Sequence, residues 1–211
     1  MKLLDVHARL RDMDQPVFQT SDAAARLGIA NGHASKLLSR LAVSGHVVRL
    51  ARGLWASDRK TDPRLLPECL TAPFPSYVSL QSALYYHGII SQIPAVTYAV
   101  SLGRARRFET PLGTVSIHHI DASLFFGFET VGRPGIRMAT AEKALLDLLY
   151  LHPARSKLFR ALPELEFPRT FRMGTVRAMI RRIRSAKRRA LVRRLFEQLA
   201  ARTGGGARPE V

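Results

Sequence analysis

The feature that most constrains this chain is the order of signals in residues 18–57: a short helical pattern, a glycine, a second helical pattern, a second glycine, then a hairpin. Ser21 and Asp22 are N-cap residues for a first helix over residues 22–27. Gly28 supplies a sharp turn. A second helix is predicted over residues 31–44, capped by Asn31 and stopped by Gly45. Within it Ala34, Leu37, Leu38 and Leu41 fall at i, i+3, i+4 and i+7, one apolar stripe facing a core. The opposite face carries Gly32, Lys36, Ser39, Arg40 and Val43, with His33 and Ser35 flanking its start. Small, polar and basic residues there suit a helix that sinks into a groove. In the hairpin, Val48, Leu50 and Leu54 are expected to pack inward, Arg49 and Arg52 to project toward phosphate, and Trp55 to cover the base. Helix, turn, helix, glycine and basic hairpin is the order of a winged helix-turn-helix, which offers one helix to a DNA major groove and a hairpin to the backbone beside it. The competing reading is a helical hairpin that only mediates protein contacts.

Charge points the same way, but unevenly. The 211 residues hold 33 Lys and Arg against 16 Asp and Glu, a net +17. Residues 1–58 carry 8 basic and 5 acidic side chains, and residues 59–168 carry 12 and 9, so each is only +3. Residues 169–211 carry 13 and 2, net +11. Such an excess implies a polyanionic or acidic partner. Asp5, Arg9, Arg11 and Asp12 interrupt any N-terminal export signal, and no apolar run nears the ~20 residues that span a membrane. A cytoplasmic protein without a membrane partner is therefore expected. The single cysteine, Cys69, rules out an internal disulfide framework and reads as a packing residue.

The length accommodates two small domains. The predicted organisation is α+β: a winged helix-turn-helix domain over residues 1–58, a Pro-rich connection over 59–75, and a C-terminal domain over 76–211. In the first, residues 1–13 read as a helix with Leu3, Leu4, Val6 and Leu10 apolar. The connection is punctuated by Pro63, Pro67, Pro73 and Pro75. The C-terminal domain is expected to combine a small antiparallel sheet with a few helices. Its strands are predicted at 97–102, 106–110 and 114–120. Its helices are predicted at 79–88 and 140–151, the latter amphipathic and capped by Thr140. A basic helix follows over about 175–202, its apolar stripe formed by Val176, Met179, Ile180, Ile183, Ala190, Leu191, Leu195 and Leu199. Arg181, Arg182, Arg188 and Arg189 are candidates there for a second, sequence-independent DNA contact; docking to an acidic protein surface and a merely solvated face are the alternatives.

Catalytic chemistry finds little support. His118 and His119 are adjacent on a strand, point to opposite faces and cannot easily share an ion. Lys143 and Asp147 stand at i, i+4, the spacing of a simple surface pair. Ser76, Ser79 and Ser82 lack a nucleophile-elbow setting. The basic turn Gly103-Arg104-Ala105-Arg106-Arg107 either touches phosphate or is solvated. No metal, cofactor or enzymatic activity is expected.

The stretch Pro75-Ser76-Tyr77-Val78-Ser79-Leu80-Gln81-Ser82-Ala83-Leu84-Tyr85-Tyr86-His87-Gly88-Ile89-Ile90 resembles the PSYVSxxSALxxHGLI signature of the AbiEi antitoxins of AbiE-type toxin–antitoxin systems. Arg107-Phe108-Glu109-Thr110, residues 113–119, Leu124-Phe125-Phe126-Gly127 and Ala139-Thr140-Ala141-Glu142-Lys143-Ala144-Leu145-Leu146-Asp147 are similar to that family in the same order. So is Leu50-Ala51-Arg52-Gly53-Leu54, although the family often has Tyr where this chain has Trp55. The resemblance spans about residues 15–152. It implies a bacterial antitoxin with two tasks: a winged domain that binds inverted repeats in double-stranded DNA of its own promoter and represses the operon, and a C-terminal domain that counteracts a cognate nucleotidyltransferase-like toxin, with or without a stable complex. On that reading His33, Ser35, Lys36, Ser39 and Arg40 face DNA from the second helix, and Arg49 and Arg52 from the wing. Two other classes stand beside it. One is a winged-helix regulator whose C-terminal domain dimerises or senses a ligand; the other is a DNA-processing enzyme, which would need the carboxylate or metal-ligand cluster that the sequence lacks.

Overall fold

The computed structural model describes residues 3–152 and 164–204. Helix α1 (Leu3–Arg11) buries Val6 and Leu10, whereas Leu4, counted among its apolar positions, is 70% exposed. Strand β1 (Val17–Gln19) leads directly into α2 (Thr20–Leu27). The helix thus starts before Ser21 and Asp22, which do not cap it. Asp22 instead stands in its first turn and reaches back, its carboxylate accepting the Gln19 N–H at 2.7 Å. Gly28 adopts φ +66°, the left-handed turn that a side chain would strain. Helix α3 (Asn31–Val43) follows, with Ala30 rather than Asn31 at its cap position. All four predicted stripe residues, Ala34, Leu37, Leu38 and Leu41, are buried.

The hairpin β2 (Val48–Ala51) and β3 (Leu54–Ala56) joins β1 in a three-stranded sheet of order β1-β3-β2. This completes the winged helix-turn-helix. Trp55 alternates inward and closes a core with Val6, Leu10, Phe18, Leu27, Leu37, Leu38 and Leu41. Its indole N–H donates to Thr20 Oγ1 at 2.9 Å, satisfying the one polar group of a 2% exposed side chain.

Leu54 and Ala56, one residue either side of Trp55, must face the other way. Together with Val48 and Leu50 they pack on Leu66, Ala99, Val115 and Ile117. These belong to α4 (Leu66–Thr71) and to two strands of a second sheet, β5 (Val96–Ser101) and β7 (Gly113–His119). The apolar face of the wing therefore covers the larger sheet. Burial of a Val or Leu side chain is worth about 1.5–3 kcal/mol, so this seam ties the N-terminal module to the rest of the chain.

The second sheet adds β4 (Ser76–Val78), β6 (Arg106–Thr110), β8 (Phe128–Val131) and β9 (Ile136–Ala139), in the order β6-β7-β5-β4-β9-β8. The α+β class holds, but the sheet is larger than expected and mixed: β4 with β9 and β5 with β7 run parallel. Alternation marks a strand without naming its neighbour or direction. The three-residue β4 also carries no alternation, being buried at every position.

The face of the large sheet away from the wing packs on helices α5 (Leu80–Tyr86), α6 (Ala141–Leu151), α7 (Met173–Ile180) and α8 (Ala186–Gly204). Thr140 caps α6 as predicted, its hydroxyl accepting the Lys143 N–H at 3.3 Å. The helix is not amphipathic, however: residues 143–149 are buried without interruption. The basic tail is two helices rather than one. Ser185 caps the second, its hydroxyl accepting the Arg188 N–H at 3.3 Å. The break shifts the helical phase, so Val192, Phe196 and Leu199 are buried while Ala190 is exposed and Leu191 and Leu195 are half-buried. Among the described residues no helix is long and apolar enough to cross a membrane.

Candidate nucleic-acid interface

The outer face of α3 is set by its buried stripe. With Ala34, Leu37, Leu38 and Leu41 turned to the core, His33, Ser35, Lys36, Ser39 and Arg40 are left exposed. They fall within two turns, and no carboxylate among the described residues pairs with Lys36 or Arg40. Ser39 donates its hydroxyl to the Ser35 carbonyl at 2.9 Å, leaving the oxygen free to accept. Gly32, in the first turn, has open space where a Cβ would stand. Val43, at the far end, is 91% exposed. The face is thus a shallow, cationic, largely unobstructed ridge.

The wing arginines differ from each other. Arg52 is exposed at the hairpin tip beside Gly53, which turns with φ +75°. Arg49 is also exposed, but it stands opposite Trp55 and its guanidinium carbon lies 5.7 Å from that ring. Both are on or beyond the edge of the face that bears Trp55, because the other face is buried against the large sheet.

Three of the four candidate tail arginines touch the protein's own surface. Arg182 stacks its guanidinium 3.6 Å from the Phe126 ring centre. Arg188 lies 5.2 Å from Tyr150, and Arg189 donates to the Ile183 carbonyl at 2.8 Å. Arg181 is exposed and makes no such contact among the described residues. Arg177, absent from the sequence-based candidates, forms a two-pronged pair with Glu197 at 2.9 and 3.0 Å.

Lys143 and Asp147 are the clearest departure from the sequence reading. They form no surface pair: both side chains are fully buried and paired with each other. Asp147 also accepts the Ser79 hydroxyl at 2.8 Å and the Tyr77 hydroxyl at 3.0 Å. Burial pushes the Asp147 carboxyl up and the Lys143 ammonium down; their mutual attraction and the two hydroxyls oppose that. Burial, then the nearby Asp147, pushes the Tyr77 phenol up, which keeps it a donor. The Lys143 ammonium sits 5.4 and 5.2 Å from the Tyr77 and Phe126 rings. A signal existed. Ala144-Leu145-Leu146 and Leu148-Leu149 leave no polar side of α6 for either charge, and a helix apolar all round is a buried one.

The other reactive groups are held in structural contacts. Ser76 Oγ accepts from Thr71, and Ser82 donates to the Val96 carbonyl and accepts the Tyr98 N–H. His118 and His119 do point oppositely, the first hydrogen-bonding Ser116 and the second the Gly103 carbonyl. Burial lowers the His118 pKa. Cys69, half-buried in the seam between wing and sheet, has its thiol pushed up to about 11 by burial first, far from a reactive thiolate.

No curated protein matches this chain. Residues 8–57, from α1 through the end of the wing, match the family model described as transcriptional regulator, AbiEi antitoxin. The likeness to the AbiEi antitoxins is thereby borne out over the module that holds α3, which is similar to these transcriptional regulators, while the Pro75–Ile90 stretch lies outside the match.

Proposed function

We propose that this protein is the antitoxin of a toxin–antitoxin pair, that it represses its own operon by binding inverted repeats in the promoter, and that its C-terminal region counteracts a cognate nucleotidyltransferase toxin. The observation that carries the regulatory half is the outer face of α3 within the matched module: Lys36 and Arg40 without carboxylate partners among the described residues, flanked by His33, Ser35 and Ser39. Short polar and basic side chains on one exposed helix face are what base edges and flanking phosphates require. Arg52 and Arg49 grip the adjacent backbone from the wing. The basic surplus of the tail supplements this as a weaker contact, through exposed cations such as Arg184, Lys187 and Arg194 rather than those engaged with Phe126, Tyr150 or the Ile183 carbonyl.

The two tasks are separable by surface substitution rather than by truncation. Cutting at residue 58 would lay bare Leu66, Ala99, Val115 and Ile117, which the wing covers. The test therefore keeps the chain whole. The Lys36→Ala, Arg40→Ala double variant should lose gel shift of its own promoter yet still rescue growth when the toxin is co-expressed. Wild-type promoter binding by that variant would remove α3 from the interface. Loss of rescue together with loss of binding would favour a regulator acting only through transcription.

A further inference from the structure

Helices α7 and α8 meet around a cavity of about 340 Å³ lined by Arg177, Ile180, Arg181, Arg189, Arg193 and Glu197. Four arginines and one carboxylate line it, a surplus of three positive charges. Two of the four are fixed in place: Arg177 by Glu197, and Arg189 by the Ile183 carbonyl. Arg181 and Arg193 have no hydrogen bond or ion pair from their side chains among the described residues, and both are exposed. Ile180, 3% exposed, contributes an apolar wall.

A surplus of like charge around one concavity is relieved when an anion joins it. The guanidinium fork matches phosphate oxygens two at a time. We infer that the α7–α8 cavity binds a compact oligophosphate, inorganic pyrophosphate or the phosphate chain of a nucleotide, through Arg181 and Arg193, with Arg177 and Arg189 held as the fixed side of the cradle. The volume falls at the lower end of small-ligand sites, about 300–1,000 Å³. A charge near −3 matches the surplus. Duplex DNA is the less suitable occupant. It displays its phosphates on a convex cylinder, which projecting side chains meet, whereas these arginines line a depression. The site is independent of α3 and stands whether or not the protein represses a promoter.

The test is calorimetric titration of the full chain with inorganic pyrophosphate and with tripolyphosphate, at constant ionic strength set by chloride, and with sulfate as the control anion. One saturable site is expected, with tripolyphosphate at least as tight as pyrophosphate and sulfate far weaker. Arg181→Gln with Arg193→Gln should weaken binding by about tenfold or more, as loss of charged hydrogen bonds does. Arg104→Gln, on the β5–β6 turn, should change nothing. Absence of saturable heat, equal binding of sulfate, or an unaltered double variant would each overturn the assignment. So would silence toward pyrophosphate combined with a flatter salt dependence of duplex binding in the double variant, which would hand these arginines to the DNA backbone.

Discussion

Helix α3 and the α7–α8 tail carry the same kinds of cationic side chain, but the tail lays part of its own against the protein's surface. The module around α3 is only +3, yet its Lys36 and Arg40 face outward with no carboxylate partner among the described residues. The tail is +11, yet Arg182, Arg188 and Arg189 lie on an aromatic ring or a carbonyl of the protein itself, and Arg177 is matched by Glu197. Lys143 extends the contrast, since it is enclosed completely. Segmental net charge therefore does not measure how much charge a partner can reach. What decides it is whether a helix keeps its cations on a solvent face or folds them against its neighbours.

The harshest test of that contrast removes a cation from the enclosed side. Lys143→Met leaves Asp147 buried without its counter-charge and should destabilise the fold by about 3–5 kcal/mol. Adding Asp147→Leu should recover much of the loss, because an apolar pair of similar volume avoids the burial of charge. Urea unfolding of the single and double variants reads this directly. A loss below about 1 kcal/mol for the single variant would mean that the pair is solvated, contrary to its zero exposure. The exposed side predicts the reverse pattern. Lys36→Ala or Arg40→Ala should shift stability by no more than about 0.5 kcal/mol. Each should weaken operator binding by about 1–3 kcal/mol if it reaches a base edge.

Much of this was legible before folding. The α3 stripe, the Gly28 turn and the Thr140 cap follow from local rules that tertiary structure had no reason to override. Three things were not. The mixed strand order depends on which distant segments meet, and β4 is too short and too buried to show alternation. The inner face of the wing was readable as apolar, but not that its partner is Val115 and Ile117 rather than its own module. The tail break turned on one capping serine, Ser185, set within a run that otherwise reads as helix. Of the interface, the residue types were visible in the sequence. The engagement of Arg182, Arg188 and Arg189 was not, because Phe126, Tyr150 and the Ile183 carbonyl reach them only through packing.

Arg182 gives a gentler test. If its stacking on Phe126 is its role, Arg182→Gln should cost about 0.5–1 kcal/mol of stability, the range of a cation–aromatic contact at an accessible site. The salt dependence of duplex binding should then stay unchanged, since no phosphate contact is removed. A slope flattened by about one unit, with stability intact, would move Arg182 to the outward-facing class with Lys36.

The smallest effect concerns what supports α3 from behind. His7 on α1 and His46, just past the end of α3, lie with ring centres 4.8 Å apart. Burial, then the neighbouring His46 and Arg11, holds the His7 pKa below its ordinary value. The unfolded chain therefore takes up this proton more readily than the folded one. Stability is retained above the unfolded value near 6.5 and falls as pH drops through it toward the lower folded value. His118, lowered by burial in the large sheet, acts with the same sign. Urea midpoints measured from about pH 7.5 down to about pH 5.5 should decline, modestly because His7 remains partly exposed. His7→Gln should flatten that decline and leave promoter binding at neutral pH intact, because His7 lies behind the α3 face and not on it. An unchanged decline in His7→Gln, with flattening in His118→Gln, would place the acid sensitivity in the sheet rather than in the seam between α1 and α3.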